Sequence, residues 1–114
     1  MKKLLFILMC LGVMITSTAN AQKAPTTSMR ILAENDKFMV YEFTWQPNAT
    51  HEWHSHKAHT GYLLTDAKMK IEVEGQETAY PVMKKGQALI GPAGKHQVSN
   101  LTNKPVIAIV TEEK

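Results

Sequence analysis

From Ala67 to Glu74 the chain alternates without a break: Ala67, Met69, Ile71 and Val73 are apolar, while Lys68, Lys70, Glu72 and Glu74 are charged. A period of two sorts these residues onto the two faces of a half-buried β-strand. From Met29 onward the rest of the chain follows suit, with strand patterns and no helical period. Arg30–Ala33 is a short apolar run, and Asn35-Asp36 is a turn signal before Phe38–Trp45, dense in aromatic and β-branched residues. Tyr62–Leu64 predicts a short buried strand. Glu74-Gly75-Gln76 predicts a tight hairpin turn, with Thr78–Val82 running back from it. Ala88–Ile90, His96–Asn100 and Val106–Thr111 complete the set, separated by the glycine- and proline-bearing stretches at 91–94 and 102–105. Short strands at close spacing with no helix predict one all-β domain, an antiparallel sandwich or barrel.

The first residues obey different rules. Lys2-Lys3, the apolar run Leu4–Ile15 and the small residues ending at Ala21 form the pattern of a secretory signal peptide cleaved after Ala21. The expected organisation is therefore a signal at 1–21, a loose arm at 22–29 and one domain at 30–114, with export to the periplasm or the medium. The apolar run falls well short of the roughly 20 residues a membrane-spanning helix needs, so no stable span is expected. Cleavage removes the single cysteine, Cys10, and lowers the net charge from +3 to +1 by taking away Lys2 and Lys3. The mature chain then has no disulfide and no thiolate ligand, and its near-neutral charge argues against a nucleic-acid surface.

One stretch is not explained by folding. Four of the 5 histidines fall in His51-Glu-Trp-His54-Ser-His56-Lys-Ala-His59, and the fifth, His96, stands alone behind Pro92-Ala93-Gly94-Lys95. On an extended strand His54 and His56 share a face, with Trp53 and Ser55 on the other. Two imidazoles held side by side on a rigid element chelate a divalent metal, and a nitrogen from elsewhere would complete the site. The same parity assigns His51 to the opposite face, as a surface histidine. The competing reading is a polar loop whose histidines are merely solvated.

These residues resemble the cupin family, whose two motifs are G-x5-H-x-H-x3/4-E-x6-G and G-x5-P-x-G-x2-H-x3-N. Asn48 stands at the first glycine, His54-Ser55-His56 at the paired histidines, His59 one residue ahead of the glutamate position and Asp66 at the closing glycine. Gly86 and Pro92-Ala93-Gly94 match the second motif, and His96 comes one residue early, with Asn100 keeping its spacing from it. Both replaced glycines carry residues that tolerate a left-handed backbone, so the turns are expected to survive. The resemblance implies a jelly-roll barrel holding one divalent transition metal (Fe, Mn, Zn, Ni or Cu) through His54, His56 and His96, with His59 replacing the absent glutamate or sitting beside it. It also implies that Asn100 braces the barrel, and that such chains form homodimers.

Cupins include oxygenases, isomerases and plain binding modules, so the fold alone sets no reaction. The expected function is metal-dependent binding or turnover of a small molecule, with a non-catalytic binding protein or a purely structural metal as the alternatives. Four neutral histidines would leave the ion its full charge, which points to an anionic oxygen-donor ligand. His59, if it is not a ligand, is the candidate general base. Tyr41, Phe43 and Trp45 alternate on one strand as core or dimer contacts, and Met29, Met39, Met69 and Met83 are expected to fill the core.

Overall fold

The structure, a computed structural model, describes residues 24–114; the signal peptide expected at 1–21 and the first two residues of the expected arm lie outside the described residues. Nine strands follow one another in the described chain, with no helix among them: β1 (Thr27–Glu34), β2 (Phe38–Trp45), β3 (Thr50–His56), β4 (His59–Leu63), β5 (Ala67–Val73), β6 (Val82–Met83), β7 (Ala88–Gly91), β8 (Gly94–Asn100) and β9 (Val106–Glu113). They form a five-stranded sheet in the order β1-β2-β9-β4-β7 and a four-stranded sheet in the order β3-β8-β5-β6, every pairing antiparallel. This is an all-β jelly-roll sandwich, the expected fold class.

Alternation decides what enters the space between the sheets. Ala67 and Met69 of β5 are buried while Lys68 between them is exposed, and on β9 Val106, Ala108 and Val110 are all buried. Leu63, Met83 and Val98 join the larger core cluster, and Tyr41 and Phe43 form a second one with Val110. Each fully buried aliphatic side chain of this kind contributes roughly 1.5–3 kcal/mol. Of the methionines expected inside, Met69 and Met83 are buried, but Met29 is 52% exposed. It sits on β1, which among the described residues is the edge strand of the five-stranded sheet.

Several boundaries differ from expectation for physical reasons. Strand β1 starts at Thr27 rather than Arg30, because Thr27, Ser28 and Met29 find partners in Trp45, Thr44 and Phe43. The strand expected over Thr78–Val82 is reduced to a bridge between Ala79 and Ile71 and the two residues of β6. Pro81 has no N–H to give a ladder, although its carbonyl still accepts from Met69 N at 3.1 Å. Strand β9 runs two residues past Thr111 and so carries Glu112 alongside His59. Asn48 adopts the left-handed backbone (φ 60°) that its glycine position demands. Asp66 does not; its Oδ1 accepts a hydrogen bond from Lys85 N at 2.9 Å, so a side chain rather than a backbone twist fixes that turn.

Candidate metal centre

Strands β3 and β8 are neighbours in the four-stranded sheet, and their register sets His54 directly opposite His96 and His56 opposite Gly94. The paired histidines and the lone one, 40 residues apart in the chain's motifs, thus meet on one face. One ring nitrogen from each of His54, His56 and His96 lies within 4.8 Å of the others, and the Nε2 atoms of His54 and His96 are 2.8 Å apart. These three histidines could hold a metal ion.

The tautomers suit that purpose. His54 Nδ1 faces the carbonyl of Glu52, so it must carry the proton, which leaves the Nε2 lone pair pointing at the cluster. His59 Nδ1 likewise donates to Lys57 O at 3.0 Å. Its ring lies against His56, with centroids 4.5 Å apart, and 5.9 Å from His96, outside the three-nitrogen cluster. A side chain at Gly91, its cross-strand partner, would collide with the His59 imidazole, so that glycine makes room for the ring. The donor set is all nitrogen and neutral, a set that suits a borderline divalent transition metal.

His51 does not sit at the surface. The register slips between His51 and His54, where three steps along β3 match two along β8. This β-bulge reverses the parity and turns His51 inward. Its ring stacks on His54 with centroids 3.6 Å apart and lies 4.6 Å from Phe43 on its other side. Trp53, in the bulge, is 47% exposed and stays outside. All five histidines therefore line a single cavity of about 330 Å³ between the sheets. Apart from them, Tyr41 and the indole N–H of Trp45, which is buried without a hydrogen-bond partner, every side chain lining it is apolar, including Phe43, Leu89 and Val98.

A residue that the motifs do not contain completes the surroundings. Glu112 of β9 stands behind His56, away from the cavity, with Oε1 3.0 Å from His56 Nδ1, although the angle is poor for a hydrogen bond. Its other oxygen accepts from Tyr41 Oη at 3.0 Å. Burial would raise the Glu112 carboxyl, but His56, Tyr41 and the Lys57 backbone together hold it below the usual carboxylate range. Burial, followed by the bond to Glu112 and its charge, pushes the Tyr41 phenol well above its ordinary value.

Three of the imidazoles, those of His51, His54 and His96, resist protonation. Burial first, and then the neighbouring histidines, lower His96 and His51 to about 4; His54 is also lowered, chiefly by burial. Because the unfolded chain takes up these protons near pH 6.5 and the folded one only near pH 4, the stability they contribute is complete above about pH 6.5 and is lost as the pH falls through that window. The metal-free protein should melt several degrees lower at pH 4.5 than at pH 7, at roughly 4–8 °C for each kcal/mol lost. Calorimetric melting points that stay level across this range would contradict the assignment.

No protein-family profile matches the chain, and no curated protein does. Solved structures do match. A cupin domain from Bordetella pertussis Tohama I superposes with a TM-score of 0.73 at 20% identity, over 81% of this chain and 97% of that one. The polyketide cyclase RemF from Streptomyces resistomycificus gives 0.64 at 22% identity, over 80% and 69%. An RmlC-like cupin from Shewanella frigidimarina gives 0.60 at 18% identity, over 80% and 78%. The fold is that of a small cupin.

Proposed function

We propose that this protein is an exported, metal-dependent cupin that binds and activates a small molecule with an anionic oxygen-donor head and an apolar body. The observation that carries this reading is the meeting of three neutral imidazole nitrogens on the wall of an otherwise apolar cavity. A purely structural metal is closed off by four protein ligands, whereas three leave positions for a ligand. His54, His56 and His96 would hold the ion, which would supply Lewis-acid polarisation to a bound oxygen. His59, its Nδ1 tied to Lys57 O, keeps a free Nε2 at the edge of the cluster, suited to accept a proton from the ligand. The apolar walls exclude water and select for the body of the ligand.

Three neutral ligands leave a divalent ion its +2 charge, and Glu112, set back behind His56, offsets it only in part. The same reading places the protein outside the cytoplasm, loaded with metal after translocation; no helix among the described residues is long and apolar enough to cross a membrane. It also includes a homodimer. Support comes from the edge strand β1, whose Met29 and Ile31 are each half exposed and whose outer backbone edge has no partner strand among the described residues.

Isothermal titration of the metal-loaded protein with salicylate and with malonate tests the ligand class. Both offer two oxygen donors, but only salicylate has an apolar ring. Burying roughly 100 Å² of ring at about 25 cal/mol/Å² is worth ~2.5 kcal/mol before binding costs. Salicylate should therefore bind about tenfold or more tightly than malonate, and only when metal is present. Equal affinities would remove the apolar body from the proposal, and binding to the metal-free protein would remove the metal.

A further inference from the structure

Strand β9 sends Val106, Ala108 and Val110 into the barrel, and Glu112 is the next residue in that row. A carboxylate that continues an apolar face is costly unless it is held by partners. Here one oxygen accepts from Tyr41, itself only 3% exposed, and the other lies 3.0 Å from His56 Nδ1, within ion-pair reach though poorly aligned for a hydrogen bond. The side chains of Glu112 and His56 are just 18% and 12% exposed, so water competes little for either. His56 Nδ1 is buried and has no well-aligned partner, and Glu112 Oε1 at 3.0 Å is the carboxylate oxygen that faces it.

Resting on the metal centre proposed above, we infer that Glu112 is its positioning residue: it takes the His56 Nδ1 proton as acceptor and so fixes the tautomer and the aim of Nε2. The first motif lacks its glutamate, and a carboxylate reaches the site instead from the far end of the chain, behind a ligand. Glu112 is not among the three residues whose donor atoms converge, and it does not line the cavity. Its effect on the ion therefore passes through His56, making that imidazole a more basic and better-oriented ligand. Tyr41 in turn holds the carboxylate, so the chain of contacts runs from β2 through β9 to β3.

Cobalt(II) titration followed by visible absorption, together with equilibrium dialysis against zinc(II), separates this role from a merely structural one. Glu112→Ala should weaken metal binding by about 10- to 100-fold and shift the cobalt absorption bands, while the far-ultraviolet circular dichroism stays that of the wild type. Glu112→Gln keeps the shape and an acceptor oxygen, so it should retain more affinity than alanine. It also keeps the test open if the alanine variant fails to fold. Tyr41→Phe should weaken binding less than Glu112→Ala. Wild-type affinity and an unchanged cobalt spectrum in the Glu112 variants would overturn the inference even if their melting points fell. A wild-type protein that binds neither metal would overturn the metal centre itself and this role with it.

Discussion

Alanine at His96 is expected to remove metal binding almost completely. His96 stands opposite His54 across the β3–β8 pairing and contributes the only donor that does not come from β3, so without it the two remaining imidazoles form an open-sided chelate. Loss of an outer partner of a metal ligand costs about 10- to 100-fold in affinity, and loss of a ligand itself should exceed the upper figure. His54→Ala should behave the same way. Equilibrium dialysis followed by elemental analysis reads the effect directly; stoichiometric metal in the double variant would place the site elsewhere. The metal-free variant should remain folded. His96 takes up its proton only near pH 4 in the folded protein, so its removal should also flatten the acid limb of the melting curve, because one depressed imidazole no longer separates folded from unfolded proton uptake.

That site was legible because its information is local. His54-Ser-His56 needs only the period of a strand to bring two rings together, and the second motif supplied the third. His51 was misassigned by the same rule, since counting parity presumes a regular strand and the bulge at Glu52 and Trp53 adds one residue to β3. No composition signal marks that bulge. Glu112 failed for a different reason: it lies 56 residues beyond His56, and the pairing of β9 with both β2 and β4 is what carries the strand to Glu113. A faint signal did exist, because Glu112 shares the parity of Val106, Ala108 and Val110. A ligand site in the barrel interior was expected from the fold class, but the make-up of the cavity wall was out of reach. Tyr41, Phe43 and Trp45 read as core, and their share in a cavity wall follows from how far apart the two sheets stand, which no single strand records.

The largest loss of stability from a single substitution should come from Asn100, at the end of β8. Its side chain is 1% exposed and makes hydrogen bonds in three directions. Nδ2 donates to the carbonyls of Trp45 at 3.3 Å, Gln46 at 3.2 Å and Lys104 at 2.8 Å, and Oδ1 accepts from Thr102 N at 2.9 Å and Thr102 Oγ1 at 2.7 Å. One amide thus ties the end of β2 to the turn between β8 and β9, beside the backbone bond that Ala49 N gives to Gln46 O at 2.9 Å. Alanine would remove all of these bonds, although Gln46 O keeps Ala49 N and Lys104 O keeps Thr102 Oγ1 at 3.0 Å; each remaining group that water cannot reach costs about 1–3 kcal/mol. Some of them will find water once the side chain is gone, so a total of roughly 3–5 kcal/mol is expected rather than the full sum. Asn100→Asp should cost nearly as much, because a carboxylate accepts from Thr102 but has nothing to donate to three carbonyls. Chemical denaturation of the metal-free protein gives the comparison without interference from the ion. A midpoint close to wild type in either variant would show that the turn at 102–105 holds its shape without Asn100, and that the brace is redundant.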